Sequence, residues 1–185
     1  MNPSPSPPTY LTHQDSLSQQ TGSLPHRVAA YEIVLLASAQ RRARDKETAF
    51  FEQLSNQHGW QLSPPQQGRY GSRLQRGYTL ILTDPAKTIL WTTANFLGLT
   101  GYRPREVVGQ TPQLLQGAGT DPQRVRQVGE ALRQARPVEA DLLNYRKDGQ
   151  SYWCRLWIDP LVNGQGEATH FIATTVEYAG QERLR

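Results

Sequence analysis

Residues 99–116, LTGYRPREVVGQTPQLLQ, decide how this chain is read. Thr100-Gly101-Tyr102 is a tight glycine turn, Pro104 to Val108 is one turn of helix with proline at its start, Gly109 breaks it, and Thr111 to Leu115 is a further short turn. Two short strand-like runs lie upstream, and one helix and three longer strands lie downstream, all between about Tyr78 and Tyr178. That order predicts an α+β domain built on an antiparallel sheet.

Upstream, Tyr78–Thr83 (YTLILT) is aromatic and β-branched and closes on Asp84-Pro85, a turn initiator. Thr88–Thr92 (TILWT) follows one turn later, so the two form a hairpin. Ala94–Leu99 is a helical turn with Phe96, Leu97 and Leu99 inward, and Gly101 is its left-handed cap. Downstream, Asp121-Pro122 opens a helix to about Ala135 that buries Val125, Val128, Ala131 and Leu132, and Pro137 ends it. Val138–Arg146, Gln150–Leu161 and Thr169–Glu177 are strands joined by Lys147-Asp148-Gly149 and Asn163-Gly164-Gln165-Gly166, which is hairpin turn chemistry. The last three strands are therefore a meander.

A chain of 185 residues holds one core of ordinary size plus an extension. Residues 1–27, rich in Pro, Ser, Thr and Gln, are expected to be a disordered tail, because too little apolar surface is present to offset the entropy of ordering. Residues 28–58, free of proline and glycine, predict a long amphipathic helix with Leu36, Ala39, Ala43, Phe50 and Leu54 on one stripe. Residues 59–77, with two prolines and repeated glycines, are expected to be a linker, 78–178 the domain, and 179–185 a C-terminal tail.

The formal charge is +4, but the basic residues are interleaved with acids except at Arg41, Arg42, Arg44 and Lys46, so nucleic acid is not an expected partner. Cys154 is the single cysteine, which excludes an intramolecular disulfide and the paired thiols of a zinc site. No run reaches the roughly 18 to 20 apolar residues of a membrane span, and the N-terminus lacks a basic patch followed by an apolar core. A cytoplasmic protein is expected. The block 78–178 has no Ser/His/Asp set, paired carboxylates or phosphate loop, so no catalytic residue and no metal ligand is assigned.

The phrases FLGLTGYRPREVVGQ (96–110), LLQGAGTDPQ (114–123), LLNYRKDGQSYW (142–153) and THFIATT (169–175) resemble the PAS superfamily, in its light-oxygen-voltage (LOV) branch. The resemblance spans about a hundred residues. It implies the PAS fold: a five-stranded antiparallel sheet with helices on one face, here preceded by the long N-terminal helix. LOV photochemistry uses a cysteine three residues after a glycine, and that position is Pro112. Gln116 and Asn144 stand where the family has flavin-contacting amides, whereas its phosphate-binding arginines fall on Gln113 and Gly129, and its N5-sensing glutamine on Thr175. Cys154 stands where flavin binders usually carry an asparagine. The ligand pocket is thus placed at Gln116, Asn144, Cys154 and Thr175, with no cofactor expected and FMN or another small ligand as the alternative. Haem would require an axial ligand on the helix that supplies it in related domains, and none is present there.

Strand alternation puts Ala140, Leu142, Asn144, Cys154, Leu156, Ile158, Phe171, Ala173 and Thr175 inward. It leaves Leu143, Tyr145, Trp153, Trp157, Ile172 and Val176 as an apolar patch on the other face, too large to leave in water. The stripe containing Leu36, Ala43 and Phe50 is expected to cover it in cis or across a homodimer, with the linker alone as the lesser option. The reading that follows is a non-catalytic PAS signalling or adaptor protein acting through a homodimer or a signalling partner. The alternative is a small-ligand or flavin sensor without cysteine-adduct chemistry.

Overall fold

The computed structural model describes residues 26–178. The expected tails at 1–27 and 179–185 fall outside the described residues, apart from His26 and Arg27, which open the first helix. Five strands form one antiparallel sheet: β1 (Thr79–Thr83), β2 (Ile89–Thr92), β3 (Val138–Tyr145), β4 (Ser151–Val162) and β5 (Ala168–Glu177), in the order β2-β1-β5-β4-β3. The hairpin and the three-stranded meander read from the sequence are both present, and β1 joins them by pairing with β5 from Thr79↔Thr175 to Thr83↔Phe171.

Between β2 and β3 lie α3 (Phe96–Thr100), α4 (Pro104–Val107), a 3-10 turn (Pro112–Leu115) and α5 (Pro122–Arg133). They pack on the inner sheet face around Ile81, Ile89, Phe96, Val107 and Leu115. Gly101 adopts φ 76 and ends α3, since this backbone region is open to glycine and costly for most L-residues. Leu97, expected inward, is instead exposed, because the five-residue helix has room for one buried large side chain at Phe96.

The outer face is covered by the segment before β1. The helix α1 spans His26–His58. The chain divides into two units after Gln40, and the following contacts lie within the second. The buried residue of α1 is Phe51, which packs on Trp60 and Tyr70 at ring separations of 5.9 and 5.5 Å. Phe50 is half-exposed against Trp91, and Leu36 and Ala43 are exposed, so the stripe read from the sequence is out of phase by one residue, about 100° on a helix. Leu54 packs on the same cluster as Phe51. Glu47 accepts a hydrogen bond from the Ala94 backbone N–H at 2.6 Å and so ties α1 to the start of the α3 turn.

The stretch 59–77 is not simply a linker. It contains α2 (Pro64–Gln75), with both prolines at the start of the helix, where no backbone donor is needed. The Gln66 carboxamide oxygen accepts the Ser63 N–H at 2.9 Å. Gly68 and Gly71 weaken the helix intrinsically, but burial of Tyr70 and Leu74 on Leu80, Leu82, Leu161 and Ile172 offsets that. The Tyr70 hydroxyl donates to the buried Asp159 carboxylate at 3.0 Å, and Arg69 pairs with the same group at 3.5 Å. No described helix is long and apolar enough to cross a membrane.

Candidate functional site: a cavity between the sheet and its helices

A cavity of about 280 Å³ lies between the inner sheet face and the α3–α5 segment. Its walls are largely aliphatic and aromatic, including Ile81, Phe96, Leu115, Leu142, Leu156 and Phe171. Gln116, Asn144, Cys154 and Thr175, placed in one pocket from the sequence, all line it. Asn144, Cys154 and Thr175 converge because Leu142↔Cys154 and Leu156↔Thr175 are cross-strand pairs, so alternation on three adjacent strands aims the same parity of residue inward, while Gln116 enters from the end of the 3-10 turn. Pro112 and Gln113 line the cavity as well, from the 3-10 turn.

The polar groups within it differ in how they are satisfied. The Cys154 sulfur and the Thr175 hydroxyl are 2.5 Å apart and share a hydrogen bond. Burial pushes the Cys154 thiol up to about 11, partly opposed by the bond with Thr175, so it stays a neutral thiol near neutral pH. Tyr152, missed by the sequence reading, is buried to 4% exposure, and its hydroxyl has no hydrogen-bond partner among the described residues. Burial raises its phenol well above the usual tyrosine range, with the neighbouring Cys154 adding to the effect; Asn144, its cross-strand partner, offsets a part. Arg146 lies over the Tyr152 ring at 4.5 Å, donates to the Leu99 carbonyl and pairs with Glu177 at 2.6 Å. Among the described residues, no group of three or more His, Cys, Asp or Glu is arranged to hold a metal ion.

The outer-face residues fall into three environments. Ile172 is fully buried beneath α2. Trp157 is covered by Arg73 of α2, whose guanidinium lies 4.6 Å from the ring, and by Tyr78 at 6.0 Å. Leu143 and Tyr145 are half-buried under the loop 117–120, where the Tyr145 hydroxyl accepts the Gly119 N–H at 2.8 Å and Thr120 donates to the Leu143 carbonyl. That loop needs glycine, since a Cβ at Gly117 would come within 2.5 Å of the Tyr145 ring. Trp153 stays 39% exposed beside Tyr178, and Val176 is half-buried.

A family model described as PAS domain matches residues 77–177, more than half of the chain. The chain belongs to the PAS domain family. Over 93 residues it is 39% identical to a blue-light-activated histidine kinase of Brucella canis, a match covering 50% of this chain and 19% of that protein. The chain thus spans about a fifth of the length of the curated relatives it matches. A structure described as "Flavin Analogue Sheds Light on Light-Oxygen-Voltage Domain Mechanism" superposes with a TM-score of 0.56 at 32% identity, covering 60% of this chain and 85% of that one. The LOV domain from the Erythrobacter litoralis EL346 blue-light-activated histidine kinase superposes at 0.53 and 29% identity, covering 56% and 97%. PAS sensor and signal-transduction character is thereby established for residues 77–177, with a LOV-like fold.

The donor set of the cavity fits the ring of a flavin. Two carboxamides, Asn144 and Gln116, offer paired donors and acceptors to its polar edge, and the unpartnered Tyr152 hydroxyl adds a further group. Among the described residues no arginine lines the cavity, and Lys87 is the one cationic lining residue.

Proposed function

We propose that this PAS domain is a sensor that holds a flat heteroaromatic ligand, of flavin type, in the cavity between the sheet and α3–α5, and that it works without a cysteine adduct. The observation carrying this reading is an apolar cavity of about 280 Å³ that also contains two carboxamides and a buried hydroxyl lacking a partner. Ligand sites combine apolar walls with a few converging polar groups in this way. A bound flavin would supply blue-light absorption and redox chemistry. The aliphatic walls would clamp the ring faces, and Asn144 and Gln116 would orient its polar edge. Pro112 stands where the resembling photoreceptors carry their reactive thiol. Cys154, held by Thr175 as a neutral thiol, is a poor nucleophile at neutral pH. β5 carries Thr175 on the cavity side and Ile172 under α2 on the outer side, so a change in the cavity has a packed route to α2 and the end of α1.

The test is reconstitution of the purified chain with riboflavin and FMN, followed by absorbance. Binding should red-structure the blue band and quench flavin fluorescence, and illumination should not produce the long-lived loss of the blue band that a thiol adduct causes. Absence of binding at about 100 μM flavin, a concentration well above the 1 μM range typical of modest specific affinity, would remove this reading.

A second reading concerns α1. Ile33, Val34, Leu35 and Leu36 are 48–67% exposed, an apolar run on a helix that gains by pairing with a second copy. The homodimer expected through Leu36 and Ala43 is supported by that exposure. Leu36→Glu should halve the mass measured by light scattering, and an unchanged monomeric mass in both proteins would dismiss the dimer.

A further inference from the structure

Three rings join the end of α1 to β5 on the outer face. His58, the last residue of α1, stacks on Trp60 with ring centroids 5.2 Å and planes 14° apart, and its centroid is 4.4 Å from that of His170 on β5. Trp60 meets His170 edge-on at 5.1 Å, and its indole N–H is shared between the His170 Nδ1 and the Thr169 hydroxyl oxygen, each at 3.3 Å. Trp60 is buried and belongs to the same cluster as Phe51, Tyr70 and Leu74, with Leu62 packed against it. The chain after α1 is fastened by one backbone bond to β4, from the Gln61 N–H to the Val162 carbonyl at 2.9 Å.

An indole nitrogen can only donate, so the Nδ1 of His170 must present its lone pair to Trp60, and the neutral ring carries its proton on Nε2. A second proton would place an N–H on Nδ1, facing the indole N–H. The Thr169 oxygen, 3.1 Å from Nδ1, would then have to accept from both rings while its own hydroxyl donates to the Leu161 carbonyl at 3.4 Å. A charged His58 at 4.4 Å adds like-charge repulsion. Across the ladder on β4 the neighbour is Leu161, which brings no charge. Asp84 of the β1–β2 turn favours the protonated ring, but its carboxylate accepts the Thr88 N–H at 2.7 Å and forms no ion pair with His170. Burial and His58 outweigh it, so the pKa of His170 lies below its ordinary value.

The geometry points to an acid-operated clasp: His58, Trp60 and His170 hold the end of α1 on the sheet while the histidines are neutral, and protonation at His170 releases residues 51–62 from the outer face. The device is separate from the cavity, since His170 faces the outer side and does not line it.

The experiment is amide hydrogen exchange of the full chain, read by mass spectrometry at about pH 7.5 and about pH 5.5, with each rate corrected for the intrinsic pH dependence of exchange. In the open clasp His170 has the ordinary value of 6.5, so one proton favours opening by at most about tenfold per pH unit below it. Residues 51–62 should lose protection by about threefold to tenfold over this interval, while 138–145 of β3, which the clasp does not touch, keep theirs. In His170→Gln the carboxamide oxygen can accept the indole N–H without titrating, so the loss should disappear. His58→Gln leaves His170 in place and removes the neighbouring charge, so its loss should be smaller than that of the wild type. Equal protection of 51–62 at both pH values in the wild type overturns the clasp. An undiminished loss in either variant overturns it as well, as does a loss shared equally by β3, which would be acid unfolding of the whole domain. None of these outcomes bears on flavin binding, which is measured at neutral pH.

Discussion

Removing one oxygen atom, in Tyr152→Phe, should move stability and ligand binding in opposite directions. The hydroxyl is buried, at 4% exposure for the residue, and it has no hydrogen-bond partner among the described residues. A buried hydroxyl left unpaired costs about 1–3 kcal/mol. Phenylalanine fills the same volume and keeps the ring beneath the Arg146 guanidinium at 4.5 Å, so no cavity and no lost cation–π contact enter the balance. At the low end this is about 1 kcal/mol of stabilisation for the ligand-free protein. For a domain of about 100 residues this raises the melting temperature by about 4–8 °C. Thermal unfolding followed by circular dichroism reads that shift directly. If the hydroxyl serves the ligand, riboflavin affinity should fall by about tenfold in the same variant, one lost hydrogen bond in a dry site. A lower melting temperature in the variant would refute the argument, because the hydroxyl would then be satisfied in the native state.

Two other outcomes follow from the outer face. Phe51→Ala should cost about 3–4 kcal/mol, as it empties the centre of the Trp60–Tyr70–Leu74 cluster, whereas Phe50→Ala should cost about 1 kcal/mol or less; denaturant titration distinguishes them, and equal losses would invalidate the assigned helix phase. His170 accepts the Trp60 indole N–H at 3.3 Å and lies tilted against His58 with ring centroids 4.4 Å apart; burial first and His58 second lower its pKa from the ordinary 6.5, with Asp84 acting the other way. Below pH 6.5 the unfolded histidine takes up a proton that the folded one resists, so this contribution to stability is present above 6.5 and lost as pH falls through the folded value. Urea midpoints between pH 7.5 and 5 should decline in the wild type and less steeply in His170→Gln; parallel slopes would show that another group controls the acid limb.

The sheet and the inner helices were legible because their determinants are local. Alternation, the Lys147-Asp148-Gly149 and Asn163–Gly166 turns, and the left-handed Gly101 each act within a few residues, and strand parity was enough to bring Asn144, Cys154 and Thr175 to one cavity, whereas Gln116 was placed there by the family resemblance. Tyr152 also had inward parity on β4, yet an orphaned hydroxyl cannot be read from parity, since it depends on what every neighbour in space fails to supply. Residues 59–77 misled for a related reason. Two prolines and repeated glycines argue locally against a helix, but Tyr70 and Leu74 gain burial on strands β1, β4 and β5, and Tyr70 gains the Asp159 carboxylate 89 positions away.

By itself, then, the sequence determined the strand order of the hairpins and the inward set of residues on the last three strands. Only the tertiary structure decided that Phe51 rather than Phe50 is the buried anchor, that α2 closes the outer face, and that Lys87 of the β1–β2 turn lines the cavity beside Gly129 of α5. Periodicity and turn chemistry are properties of neighbouring residues, whereas helix phase, the cover of a sheet and the approach of a turn to a distant helix follow from long-range burial.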